Sequence, residues 1–419
     1  MENGAPPLSA NARETQRFQQ KKQLVLDAAS ALINEKGTAG MTLAAVAEAV
    51  GLNTASVTYY FKRRDDLAVA CYHRALERIE EMVAEAAKED SPRARVARYL
   101  DLNMELLRRV RSGEERPITV LSDIRAMDDP VRASLSARYR DIMRHVRGFW
   151  GADGDAANKA LLVARVHVLL ENIYWLPAWL GRYSSDEFPR VRARMMEMFE
   201  HGFMPSPSVN APRIWNPGSL DLSLGDDRID GAAQRKFLQV AIRLINERGY
   251  RGASVERIAS ELNVTKGSFY HHLEAKDDLV LACFQYSFST VTRAQMRADE
   301  AGGAHVTRLI SAIASLLDFQ FSDHGPLLRT TALQALPIEF RNRVIDNSNS
   351  MARRLAGTII DGVSEGSIRA VDPLIAAQML LAMLNSAYEL RGWAGAMQHA
   401  DAIRYYASTL TSGLFDQPV

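Results

Sequence analysis

The run Leu26-Asp27-Ala28-Ala29, followed by Leu32-Ile33-Asn34-Glu35-Lys36-Gly37, returns as Leu238-Gln239-Val240-Ala241 and Leu244-Ile245-Asn246-Glu247-Arg248-Gly249. The offset is 212 positions (Gly37 to Gly249) and holds without a gap as far as Cys71 and Cys283. A repeat of that length restricts the fold to two like units, and 419 residues are enough for each to bury its own core. Apolar residues recur at three- and four-residue spacing, with no sustained period-2 run, so both units are expected to be all-α.

Bulk composition narrows the class without naming a function. With 47% hydrophobic and 24% charged residues the chain reads as globular. It lacks the eighteen or so uninterrupted apolar residues that cross a bilayer, and its first residues, Met1-Glu2-Asn3-Gly4, lack the order of a secretory signal. Cys71 and Cys283 occupy one position of the repeat, which suits small buried side chains better than a disulfide. The expectation is a cytoplasmic protein with no membrane partner. A net charge of +1 rules out any case for nucleic-acid binding from composition, so such contact must rest on a few placed groups.

Residues 204–231 begin Met204-Pro205-Ser206-Pro207-Ser208 and are rich in Pro, Ser, Asn and Gly, as a linker is. The expected units are a disordered leader 1–19, a head 20–66, a body 67–203, the linker, a second head 232–278 and a second body 279–419. Within the bodies, Ser91-Pro92, Arg116-Pro117, Asp129-Pro130, Gly325-Pro326, Leu336-Pro337 and Asp372-Pro373 predict helix starts, because Pro fits the first helical turn. Asp155 opens a long helix to about Leu180, and Ser185-Asp186-Glu187 opens another to about Phe203.

Each head carries a helix–turn–helix pattern. In the second copy Ser254 caps a helix with Val255, Ile258, Ala259 and Leu262 on one face; Asn263-Val264 makes the turn; Thr265 caps a short second helix. Such a helix end suits a DNA phosphate. Lys266, Ser268, Tyr270 and His271 are donors on its exposed side, and Phe269 and Leu273 anchor it. In the first copy Thr42 opens the first helix, Gly51-Leu52 turns, and Asn53 opens the second. Val57 and Phe61 are its anchors, and Thr54, Ser56, Thr58, Tyr59 and Tyr60 its candidate contacts.

The run Val264-Thr-Lys-Gly-Ser-Phe-Tyr-His-His-Leu-Glu-Ala-Lys-Asp-Asp-Leu279 resembles the DNA-binding head of TetR-type bacterial transcriptional regulators, and so does Leu52 to Leu67. The likeness covers about 50 residues of each repeat. It implies that Thr265, Lys266 and Gly267 sit at the groove entry, Tyr270 and His271 on backbone or base edges, and Lys276 on a phosphate. Asn53, Thr54, Ser56, Tyr59, Tyr60 and Arg64 take these roles in the first head; Thr42 and Ser254 complete the DNA-binding set. Ala55 and Thr58 depart from the pattern's glycine and tyrosine. Tyr60 and His272 equally suit half-buried helix positions, and Lys62-Arg63-Arg64 equally suits a solvated charge cluster.

The resemblance further implies bodies that bind a small effector and pair through their last two helices. Both partners lie in one chain here, so the expected architecture is an intramolecular pseudodimer of two tandem TetR-like repeats, with room for a higher oligomer. Leu161–Leu180 with Val191–Phe203 would face Leu374–Leu390 with Ile403–Leu414. Candidate ligand-binding residues are Tyr99, Trp150, His167, Glu171, Tyr174, Trp175, Phe319, Phe340 and Tyr388, for an apolar, aromatic or acyl effector; most of the same aromatics suit packing or the interface better. His167 and Glu171 lack a third ligand, so no metal or cofactor is expected. The expected function is a ligand-released repressor reading an asymmetric operator on double-stranded DNA with two unlike heads. The alternative is a sensing or protein-binding module whose heads have decayed. No catalytic constellation points to an enzyme.

Overall fold

The computed structural model describes residues 10–151, 154–205, 220, 222, 231–264, 276–322, 326–329, 332–333, 336 and 338–416. Among them the regular structure is helical. The first half comprises α1 (Ala10–Gly40), α2 (Leu43–Ala49), α3 (Thr54–Tyr60), α4 (Arg64–Ala86), α5 (Pro92–Ser112), α6 (Val131–Arg147), α7 (Ala156–Leu180) and α8 (Phe188–His201). The second half comprises α9 (Gly231–Gly252), α10 (Val255–Glu261), α11 (Lys276–Ala301), α12 (His305–Phe321), α13 (Ile338–Glu365), α14 (Pro373–Ser386), the short α15 (Arg391–Ala394) and α16 (His399–Thr411). Helix α1 begins at Ala10, so residues 10–19 of the expected leader are helical. The expected linker falls almost wholly outside the described residues.

The repeat in sequence is a repeat in hydrogen bonding. Thr42 accepts from the Ala45 amide at 3.1 Å, and Ser254 accepts from the Arg257 amide at 3.2 Å, so both first helices of the motif are capped alike. After them the chain turns through a left-handed residue, Gly51 (φ 66°) in one head and Asn263 (φ 53°) in the other. Asn is among the few side chains that tolerate this region, so the two sequences solve the turn differently. Leu52 N donates to Ala47 O at 2.8 Å, and Val264 N to Ala259 O at 3.0 Å. The head cores are small: Val46, Val57 and Phe61 in the first, Val255 and Ile258 in the second, all buried.

Two expected helices are absent. Residues 113–121, around Pro117, and residues 326–329 are non-helical. The reason is an asparagine of the repeat. Asn34 Nδ2 donates to Ile118 O at 2.8 Å while its Oδ1 accepts from Val120 N at 2.9 Å. Asn246 does the same to Leu327 O at 2.9 Å and Arg329 N at 3.0 Å. A side chain thus satisfies backbone groups that a helix would have paired, and each head is tied to the body behind it.

The halves join along one face. Helices α7 and α8 pack against α14 and α16, the arrangement expected for a pseudodimer. Leu161, Leu169, Leu176, Met195 and Phe199 from one side, and Ile375, Met379, Met383, Ile403, Tyr406 and Leu410 from the other, are buried. Full burial of each large apolar side chain contributes roughly 1.5–3 kcal/mol. At the rim, Phe203 N donates to Leu410 O at 3.2 Å, Met204 N to Thr411 O at 3.0 Å and Leu414 N to Phe199 O at 2.6 Å. Arg369 donates to Glu197 at 2.9 Å and to the Gly202 carbonyl at 2.7 Å.

Candidate DNA-reading heads and effector cavity

In the first head, α3 presents Thr54, Thr58 and Tyr59 to solvent, with Tyr59 75% exposed, and leaves Ser56 and Tyr60 half-buried. Asn53 caps α3 by accepting from Ser56 N at 2.7 Å, and the Thr58 hydroxyl donates to Thr54 O at 2.8 Å. Asn53 and Thr42 therefore shape the motif from within. Tyr60 lies against Phe18 of α1 with ring centroids 4.9 Å apart, and Tyr59 meets Tyr60 edge-on at 5.4 Å. These contacts fix where Tyr59 projects. Arg64 is exposed and donates to Asp65 at 3.0 Å, which holds that carboxyl below its ordinary range. Lys62 and Arg63 are exposed beside it.

In the second head, Ser254 is the cap of α10, as described above. Thr265, Lys266, Gly267, Ser268, Tyr270, His271 and His272 lie outside the described residues, and α11 begins at Lys276.

The bodies differ. In the second, a cavity of about 40 Å³ is walled by Phe284, Phe288, Val291, Leu327, Leu328, Leu333, Val344, Met351, Leu381 and Leu384, with Ser287, Ser348 and Asn385 as its polar members. Trp175 crosses from the first half to complete the wall, so the cavity spans the junction of the halves. Its neighbourhood is cross-braced: Ser287 Oγ accepts from Leu328 N at 2.8 Å, and Gln320 Oε1 accepts from Leu327 N at 2.9 Å. In the first half the grooves beside α4 are polar, lined by residues such as Arg74, Arg78, Glu114, Glu115 and Arg116.

Of the ligand-binding candidates, Trp175 alone is among the cavity's lining residues. Tyr99 is buried in the first body with its ring 6.0 Å from Phe149. Trp150 Nε1 donates to Leu414 O at 2.9 Å and stacks toward Phe415, so it belongs to the junction of the halves. Tyr388 donates to Glu247 at 3.3 Å. Phe319 and Phe340 pack on the second core, and Tyr174 is half-buried. The aliphatic lining was missed because leucines and valines at helical spacing carry no mark that separates cavity from core.

His167 and Glu171 meet Glu389 of the other half, their ligand atoms within 4.8 Å of one another. Sequence reading found no third group because this one lies more than two hundred positions away. Two guanidiniums already occupy the carboxylates. Arg329, 5% exposed at its side chain, pairs with Glu171 at 3.4 Å and with Glu389, and Arg125 pairs with Glu389. A dication would have to displace both arginines, so the set does not fit a metal. Burial, reinforced by Arg329 and Arg125, holds the His167 imidazole below its ordinary value, against the pull of Glu171 and a 3.1 Å bond to Ser386 O. Arg125 Nη1 also donates to Asn246 O at 3.0 Å, which joins this cluster to the second head.

The domain profile "Bacterial regulatory proteins, tetR family" matches residues 25–71 and 237–283, and the profile "Tetracyclin repressor-like, C-terminal domain" matches residues 302–414. The chain belongs to the TetR family. It is a tandem member, with two heads in one polypeptide, and as such a DNA-binding transcriptional regulator and not an enzyme. It is 28% identical over 153 residues to the HTH-type transcriptional repressor DhaR of Mycobacterium sp. (strain GP1), a match covering 36% of this chain and 77% of that protein. It is 25% identical over 140 residues to the biofilm operon icaADBC negative regulator IcaR of Staphylococcus aureus (strain Newman), covering 32% of this chain and 71% of that one. A crystal structure of AibR in complex with isovaleryl coenzyme A and operator DNA aligns with 42% of this chain and 97% of its own, at TM-score 0.35 and 17% identity. Among the described residues no helix is long and apolar enough to cross a membrane.

Proposed function

We propose that this TetR-family regulator is a cytoplasmic repressor that holds its operator through two unlike heads and leaves it when an apolar small molecule fills the cavity of the second body. One observation carries the reading. The segment Leu327–Arg329 is at once cavity wall and the partner of Asn246, which stands at the end of the second head's first helix. A ligand that pushes on Leu327 or Leu328 moves the residue to which the head is tied. It shifts the equilibrium only by binding one head spacing better than the other. The repressor sense is supported by DhaR and IcaR, both named as negative regulators.

The contact set proposed for the first head is Thr54, Ser56, Thr58, Tyr59, Tyr60 and Arg64, with Thr42 and Asn53 holding the helices in place. For the second it is Thr265, Lys266, Gly267, Ser268, Tyr270, His271 and Lys276, with Ser254 as cap. Unlike side chains at equivalent positions read unlike half-sites, about one helical turn or a small multiple apart. Footprinting at nucleotide resolution on the promoter of the protein's own operon tests this. A perfect inverted repeat, or binding with steep salt dependence and no sequence preference, would sink it.

A further inference from the structure

Helix α1 begins at Ala10, and the family profile begins to match at residue 25, so about four turns of α1 precede the matched head. From Phe18 onward these turns lie against the reading helix α3. The Phe18 ring is 4.9 Å from that of Tyr60 and meets Tyr59 edge-on at 6.0 Å. Lys22 Nζ stands 5.7 Å from the centre of the Phe61 ring, and Val25 is fully buried. Phe18, Lys22 and Val25 therefore mark the inner face of this stretch. Arg17, Gln20 and Lys21 share another face, three and four residues apart, and all are exposed. From Thr15 to Leu26 the sequence holds no acidic residue. Among the described residues neither Arg17 nor Lys21 is held in an ion pair.

An α-helix with its side chains is about 10–12 Å across, and the major groove of B-DNA is about 12 Å wide, so a reading helix fills the groove. A second helix that touches its flank through aromatic rings then stands over the phosphates at the groove edge. Long cationic side chains there meet the DNA backbone and not the bases. Phe18 brings α1 to that place, because it packs on Tyr59, which is 75% exposed on α3. The second copy is built otherwise. At the offset of 212, Ile229, Asp230 and Ala233 stand where Arg17, Phe18 and Lys21 do. Arg228, just before them, has Asp226, Asp227 and Asp230 as sequence neighbours, and Arg235 and Lys236 occupy the positions of Gln23 and Leu24.

Resting on the reading of α3 as the first head's recognition helix, we infer that the first turns of α1 are a further DNA-binding element. In it Arg17 and Lys21 hold phosphates flanking the half-site, and Phe18 positions them. The element adds affinity without adding base readout, and it lengthens the footprint on the first head's side only.

Salt titration of operator binding by the full chain tests this. Each phosphate contact contributes about 0.9 to the slope of log affinity against log salt, so Arg17→Gln combined with Lys21→Gln is expected to make the slope shallower by about 1.8. Affinity at about 0.1 M salt is expected to fall about tenfold or more, equally for operator and unrelated DNA. Phe18→Ala is expected to make the slope shallower as well, and Phe18→Tyr to restore it; lower affinity at an unchanged slope in Phe18→Ala overturns its positioning role. Hydroxyl-radical footprinting should show the double variant losing protection at one outer edge of the site and nowhere else. An unchanged slope in the double variant overturns the inference and leaves α3 as reader, as does protection lost equally at both edges. A wild-type chain with no preference for operator over unrelated DNA overturns the reading of α3 and the inference with it.

Discussion

Arg341, at the start of α13 in the second half, donates through Nη1 to the main-chain carbonyl of Asn34 at 3.2 Å, at the end of the first head's long helix. Its Nη2 reaches the Glu35 carbonyl beside it. Arg125 of the first half makes the reciprocal contact to Asn246 O. Each head's first helix thus ends on an arginine belonging to the other half, where cations favour the carbonyl end of the helix dipole.

Replacing Arg341 by Met keeps the aliphatic stem and removes both bonds, together with a third from Nε to Leu336 O at 2.8 Å. The expected cost is about 1–2 kcal/mol in chemical unfolding, with operator affinity falling several-fold because the first head loses its orientation. Unchanged stability and unchanged gel-shift affinity would show that the contact positions nothing.

Glu389 stands between Arg125 and Arg329 at the junction of the halves. Glu389→Gln leaves Arg329 buried with only Glu171 opposite, and the expected loss is about 3–5 kcal/mol. Adding Arg329→Met to that variant removes the stranded charge and restores a large part of the loss. A double variant no more stable than the single one contradicts the account.

His167 makes this junction sensitive to acid. Its folded-state value lies below the ordinary imidazole value of 6.5, mainly through burial, so the folded protein binds the proton less readily than the unfolded chain. The stabilisation is complete above the unfolded value of about 6.5 and drains away as pH falls below it. The charged groups facing the ring are Glu171, Glu389, Arg329 and Arg125. Thermal unfolding of wild type should lose more between pH 7.5 and 5.5 than His167→Gln does. Parallel losses in the two proteins refute the assignment.

The repeat made the heads and the pairing of the halves legible, because caps, turns and apolar faces are local properties. Thr42 and Ser254, Gly51 and Asn263, and the apolar runs of α7 and α14 declare themselves within a few residues. Where the outcome depended on distant groups, the sequence misled. Pro117 and Pro326 look like helix starts, yet Asn34 and Asn246, eighty or more positions earlier, bond the backbone of their non-helical segments. Trp150 has the look of a ligand-binding aromatic, and its indole is spent on the carbonyl of Leu414. The cavity was hidden because Phe284, Leu328 and Leu381 are residues that any core would use.

Gly202 ends α8 with φ 61°, and a Cβ placed there would stand 2.2 Å from the Thr411 carbonyl of the other half. Backbone of the two halves passes too close here for any side chain. Gly202→Ala should cost about 2–4 kcal/mol and loosen the halves, read as earlier thermal unfolding and faster proteolysis near residue 204. Wild-type unfolding in this variant would mean that the clasp is not under tension.

The two asparagines give the sharpest test of how signal reaches DNA. Asn34 and Asn246 make the same pair of bonds, but only the Asn246 segment borders the cavity. Truncation of either to Ala leaves a backbone carbonyl and amide unpaired, at about 1–3 kcal/mol. Both variants should therefore lose similar stability and some operator affinity. They should part in their response to effector: Asn34→Ala still releases DNA on ligand binding, whereas Asn246→Ala binds ligand and stays on its operator. Gel shifts with and without a cavity ligand separate them. Equal release by the two variants would move the signal off Leu327–Arg329 and onto the junction helices, where Trp175 is the remaining link between cavity and first half.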